Sequence, residues 1–203
     1  MAPTNRQSSA PQAVNPNPGA ELGDRELVVT RIFNAPRELV FEAFTKPEHL
    51  MKWWGPHGCS MLSCEADPRT GGAWSISMRL PRVLPQFARR YPTNTEIGRA
   101  VPQQHQSSRD DAADEQEWIV ERQRGTYQEV VRPERLVFTY AFEDDAGRPL
   151  QQTVVTISFA DEGGRTRLTL RQALFESVSA RDDHVLGWSE ALEHLAEHLV
   201  HVQ

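Results

Sequence analysis

Ser179 to His201 reads SARDDHVLGWSEALEHLAEHLVH, and the spacing of its apolar residues decides the fold. Val185, Trp188, Leu192, Leu195 and Leu199 recur at i, i+3, i+7, i+10 and i+14, which gathers them into one stripe along a helix. The other faces are acidic, with Arg181 set against Asp182, Asp183, Glu190, Glu193 and Glu197. A helix with a single apolar stripe draws most of its stability from the surface it lies on.

The preceding residues supply that surface. Trp74, Ile76, Met78 and Leu80 alternate with Ser75, Ser77 and Arg79, the period of a half-buried strand. In Glu117–Arg124 the same reading sets Trp118 and Val120 opposite Glu117 and Glu121. Leu136, Phe138, Tyr140 and Phe142 repeat the alternation, followed by Val155, Ile157 and Phe159, then Leu168 and Leu170. Arg132-Pro133, Asp145-Ala146-Gly147 and Gly163-Gly164 punctuate these runs as turns. Upstream, Glu26–Phe33 (ELVVTRIF) reads as a strand. Asn34 reads as the cap of a helix, with Pro36 near its first turn and Leu39, Val40, Phe41 and Phe44 directed to a core. A second short helix starts at Lys46-Pro47, carries Leu50, Met51 and Trp53, and stops at Gly55-Pro56. The order predicts an α+β fold: a curved antiparallel β-sheet wrapped on a long C-terminal α-helix, with two short helices after the first strand. Where such a sheet and helix fail to meet, a cavity remains.

Two stretches lie outside this pattern. Residues 1–24 are Pro-rich with few bulky apolar side chains and are expected to form a disordered leader, because they bury too little surface to offset ordering. Residues 82–116 carry balanced charge without sustained periodicity and read as a long polar inserted loop in a single domain spanning 25–203. A net charge of −6 argues against a nucleic-acid partner. No run approaches the roughly 18 apolar residues of a membrane helix, so no membrane insertion is expected. The N-terminus lacks the features of a secretory signal, which makes cytoplasmic the expected location. Cys59 and Cys64 have opposite strand parity, so their side chains should diverge as reduced structural thiols.

Taken together, several short motifs resemble one family. They are Phe33-Asn34-Ala35-Pro36, Val40 through Thr45, Pro47-Glu48-His49-Leu50 and Trp53-Trp54-Gly55-Pro56. Asp67 through Gly71-Gly72-Ala73-Trp74 with Met78, Glu129 with Pro133 through Thr139, Gly163 through Leu170, and Gly187-Trp188 continue the series. From about residue 26 to the end, the chain resembles the AHSA1-like branch (activator of Hsp90 ATPase homologue) of the START/Bet v 1-like, or SRPBCC, superfamily of bacterial proteins. The resemblance implies a helix-grip fold. The 82–116 stretch departs from it, since family members pass between those strands in far fewer residues.

The expected function is binding of a small hydrophobic or amphipathic molecule in an aromatic-lined cavity between sheet and helix. The residues expected to line it are Trp53, Trp54, Trp74, Ile76, Met78, Trp118, Phe138, Tyr140, Ile157, Trp188 and Leu192. The competing reading is that these aromatics simply fill the core, because an empty cavity is destabilising. No nucleophile elbow, phosphate loop or His-Glu-x-x-His motif is present, so no catalytic residue is assigned. His57, Glu65, Arg122 and Tyr140 are the polar groups a cyclase- or lyase-type enzyme, the alternative function, would draw on. A second alternative, suggested by the family, is an Hsp90 co-chaperone-like module, although a chaperone partner is not expected; a homodimer is left open. His194, His198 and His201 share one helix face at i, i+4 and i+7, which reads as a solvated polar face rather than a metal site. No cofactor or metal is expected.

Overall fold

The computed structural model describes residues 24–81 and 118–202. All of the expected leader but residue 24, and the whole of the expected inserted loop, lie outside the described residues. Strand β1 (Glu26–Phe33) is followed by helices α1 (Arg37–Ala43) and α2 (Pro47–Trp53). Six strands come next: β2 (Ser60–Ala66), β3 (Ala73–Pro81), β4 (Trp118–Val131), β5 (Arg135–Phe142), β6 (Thr153–Asp161) and β7 (Thr166–Ala173). Helix α3 (Val178–His201) closes the described chain. The strands form one seven-stranded antiparallel sheet in the order β1-β7-β6-β5-β4-β3-β2. The last helix lies on one face of the sheet, the α+β arrangement expected from the periodicities and the helix-grip fold that the resemblance implies.

Helix α1 departs from the expected start. Pro36 occupies the N-cap position, and its carbonyl accepts from the Leu39 and Val40 amides at 3.0 and 3.1 Å. Asn34 lies too far upstream to cap it, since a cap must reach the first free amides. Helix α2 begins at Pro47 as expected, where proline's missing N–H costs nothing and its fixed φ suits the first turn. Helix α3 is capped by Ser177, whose Oγ accepts from the Ala180 amide at 3.1 Å.

Trp188, Leu192, Leu195 and Leu199 of α3 are buried with Ala191 against the sheet. Val185, expected in the same stripe, is 37% exposed, as is Leu186 at 43%. Val185 and Leu186 therefore point to solvent, while His184 of the same turns packs on Tyr140 and Phe142, and the apolar stripe is buried from Trp188 onward. Beneath them an aromatic chain fills the concave side. Ring centroids are 5.4 Å apart for Phe41–Phe159, 4.7 Å for Phe44–Trp53, 5.2 Å for Trp54–Trp188 and 5.7 Å for Trp74–Phe138. Tilted and edge-on contacts of this kind pack better than parallel faces.

Two strand phases differ from expectation. The β3–β4 register pairs Leu80 with Ile119, Met78 with Glu121 and Ile76 with Gln123, which sends Ile119, Glu121 and Gln123 inward. Trp118 and Val120 therefore face outward; Val120 is 43% exposed, and the Arg79 guanidinium lies 4.8 Å from the Trp118 ring centroid. Trp118-Ile119-Val120 is apolar in both phases, so alternation alone chose wrongly. In β2 an irregularity between Met61 and Ser63 shifts the register, so Met61 pairs with Met78 and Cys64 with Ile76 on the inner side. Cys59 and Cys64 consequently both pack against the core rather than diverging, and neither is in a disulfide.

Candidate functional site

Between the middle of α3, strands β4 and β5 and the segment after α2, a half-open cavity of about 50 Å³ remains. Trp54, Tyr140 and Trp188 form its walls, and Glu121 and Gln123 of β4 also line it. Gly187 and Ala191 face it from α3, Gly55 and Pro56 form a lip, and Asp183, His184, Leu186 and Glu190 complete the lining. At the roughly 10–15 Å³ of such volume that one water requires, it holds a handful of small atoms, not a twenty-atom ligand. A neighbouring void of about 10 Å³ lies among Trp74, Ile76, Tyr127 and Phe138. The wide hollow expected between sheet and helix is otherwise filled by side chains.

Hydrogen bonds hold the walls in place. Trp54 Nε1 donates to Gln123 Oε1 at 2.8 Å, and Gln123 Nε2 donates to Glu121 Oε1 at 2.5 Å. Glu121 is only 4% exposed, so this amide contact offsets part of the cost of burying its carboxyl. On the other side Trp188 Nε1 donates to Gln172 Oε1 at 2.7 Å, Gln172 Nε2 to Thr153 Oγ1 at 2.8 Å, and Thr153 Oγ1 to the Tyr140 carbonyl at 3.0 Å. Behind them Trp74 Nε1 reaches the Thr139 carbonyl at 3.1 Å, passing over Gly125, where a Cβ would come within 1.7 Å of that oxygen. With their N–H groups engaged, Trp54 and Trp188 offer the cavity π faces rather than donors. His184 Nδ1 donates to the Ala180 carbonyl at 2.7 Å, and its ring packs 5.6 Å from Tyr140 and 4.9 Å from Phe175.

A second cleft, of about 460 Å³, runs between α2, the start of β2 and α3, with Cys59, Met61, His194, His198 and His201 in its lining. The expected solvated histidine face is here met by another element. His198 Nε2 lies 2.8 Å from His49 Nδ1, and His194 Nε2 lies 2.8 Å from His57 Nδ1. His201 stays exposed. Among the described residues no three His, Cys, Asp or Glu side chains come together as metal ligands. Burial, with the Glu65 charge adding to it, pushes the Cys64 thiol up to about 11, which makes it a poor nucleophile at neutral pH. A third groove, of about 650 Å³, crosses the outer face over β2–β5 and contains Glu65, Arg122 and the Arg124–Glu143 ion pair, 3.1 Å long.

The family described as Activator of Hsp90 ATPase homolog 1-like protein matches the chain at residues 34–121 and 107–200. The chain belongs to this family. Solved structures agree in fold. A protein from Nitrosomonas europaea is 21% identical, with 89% of this chain and 97% of that one covered at a TM-score of 0.61. The AHSA1 protein of Silicibacter pomeroyi is 20% identical, with 88% and 99% covered at 0.63. A protein from Chromobacterium violaceum is 26% identical, with 86% and 96% covered at 0.58. No curated protein matches the chain.

Within this AHSA1-family fold the expected pocket residues fall into four groups. Trp54, Tyr140 and Trp188 line the cavity. Trp74, Ile76 and Phe138 border the small neighbouring void. Trp53, Met78, Ile157 and Leu192 are core side chains almost without exposure, and Trp53 Nε1 is tied to the Ala43 carbonyl at 2.9 Å. Trp118 lies on the opposite face of the sheet, because the β3–β4 register turns it outward. Glu121, Gln123 and Gly187 went unrecognised as cavity residues. The first two are polar at inward positions, and only Gly187-Trp188 carried a signal, a glycine in mid-helix.

Proposed function

We propose that the chain binds a small amphipathic molecule whose apolar end enters the cavity under Gly187. The observation that supports this most directly is the cavity's position, lined by the indoles of Trp54 and Trp188 beside a glycine of α3 that has no side chain to fill it. Ligand sites combine apolar walls with a few convergent polar groups, and Glu121 and Gln123 answer to the second part. Among the described lining residues there are three carboxylates and no Lys or Arg, so the polar end of the guest is neutral or cationic. The buried part is small. Four or five heavy atoms at a ceiling of about 1.5 kcal/mol each gain roughly 7 kcal/mol, a dissociation constant no tighter than about 10 μM from that part alone.

The test is a ligand-observed NMR screen of small aromatic and alkyl amines and alcohols against the full chain and against Gly187→Leu. Weak binders that Gly187→Leu loses support the reading. No binders, or binders indifferent to Gly187→Leu, overturn it.

A further inference from the structure

Two histidines of α3, His194 and His198, are engaged in contacts outside the cavity lining. In the pairs His49–His198 and His57–His194, two ring nitrogens lie 2.8 Å apart. Nitrogens at that distance share one proton, so each pair persists only while one of the facing nitrogens keeps its lone pair. In the second pair geometry fixes the roles. The Gly55 carbonyl, 3.1 Å from His194 Nδ1, can only accept, so Nδ1 carries the proton of a neutral His194 and Nε2 is the acceptor. His57 Nδ1 then donates to it, while His57 Nε2 faces the Glu193 carboxylate at 3.3 Å. The His57 amide also donates to Glu190 Oε2 at 3.0 Å. The segment between α2 and β2 is thereby fastened to α3, and its Gly55 and Pro56 are the lip of the cavity.

We propose that the two imidazole pairs form an acid-sensitive clasp, in which protonation of both rings of each pair releases the 54–59 segment from α3 and opens the lip. Two facing imidazolium N–H groups leave no acceptor between them and place like charges at contact distance. The surroundings bear unequally on the pairs. Glu190 and Glu193 lie against His57, and in this pair a proton on His194 Nε2 removes the acceptor and breaks the bond. Around His198, burial comes first and the positive charges of His49, Lys52 and His201 add to it; together they hold this imidazole below its ordinary value. Glu197 is the remaining charged group lining that cleft, and Cys59 and Met61 enter from the β2 side.

Hydrogen–deuterium exchange of the full chain without ligand, corrected for the intrinsic pH dependence of exchange, reads the clasp directly. Between pH 7.5 and 5.0, peptides covering 47–59 should lose protection at least tenfold while those covering β5 keep theirs. In the His49→Asn, His57→Asn double variant an uncharged amide stands near each Nδ1 and can donate or accept, so protection should persist at pH 5.0. Wild-type protection independent of pH, or an equal loss in the double variant, overturns the proposal. Should that variant not fold, ¹⁵N-histidine NMR of the wild type decides. Protonation of His194 and His198 must share its midpoint with the loss of protection, and protonation without it overturns the clasp. Because no ligand is present, failure of the small-molecule reading leaves this result standing.

Discussion

Gly187 sits in the interior of α3, and a Cβ built on it meets nothing within 4 Å. Glycine in a helix interior is less favourable than alanine by about 0.8–1.0 kcal/mol, because the free chain has more conformations to lose. Gly187→Ala should therefore stabilise the protein by about 1 kcal/mol, a rise in Tm of roughly 2–4 °C for a chain of this size. Gly187→Leu gains nearly as much helix propensity, but its four side-chain carbons project toward a cavity of only about 50 Å³. It should fold as well as the wild type and lose the small-molecule site. Urea denaturation and ligand titration on the same preparations measure both quantities. A destabilised Gly187→Ala would mean that the space above the helix is not open. A stable Gly187→Leu with unchanged binding would place the site elsewhere. Stability and binding moving in opposite directions is the signature of a glycine kept for room rather than for its backbone.

Other consequences follow from the same geometry. Gly125→Ala should cost about 3 kcal/mol in urea denaturation, since its Cβ would come within 1.7 Å of the Thr139 carbonyl and 2.4 Å of the Trp74 indole nitrogen; a neutral result would refute that packing. Trp188→Phe removes the donor to Gln172, which is fully buried, and should cost about 1–3 kcal/mol by leaving that carbonyl oxygen unpaired. Trp118→Ala should leave small-molecule binding unchanged, because the ring lies on the outer face under Arg79; lost binding would contradict the β3–β4 register. His198 titrates in the folded chain below its ordinary 6.5, so the unfolded chain takes up this proton first and stability falls as pH drops below about 6.5. His198→Gln should remove that part of the slope in urea midpoints measured at pH 7.5, 6.5 and 5.5, and an identical slope would refute it.

Much of the architecture was legible because one face of each element is apolar and the other is not. Trp74 to Leu80 alternate and turn their large apolar residues inward, as do Leu136, Phe138 and Tyr140 of β5, a strand whose other face is buried as well. The same rule failed at Trp118-Ile119-Val120, where both alternations are apolar and the inward phase continues through Glu121 and Gln123. Burying that acid is made tolerable by Gln123, two residues on, which donates to it and is itself held by Trp54 from far away in sequence. In β2 the shift at Leu62 reset the parity on which the divergence of Cys59 and Cys64 depended. The histidine face was visible as a spacing, but its partners His49 and His57 come from segments more than 130 residues away.

By itself the sequence determined the element order, the inward residues of most strands and the stripe of α3, because those depend on local periodicity and on turns. Tertiary structure alone decided how closely α3 settles on the sheet. That closeness is set by side-chain volumes meeting from different strands. It leaves Trp53, Met78, Ile157 and Leu192 in solid packing, and leaves a cavity where Gly187, with no side chain, lies beside Trp54, Tyr140 and Trp188.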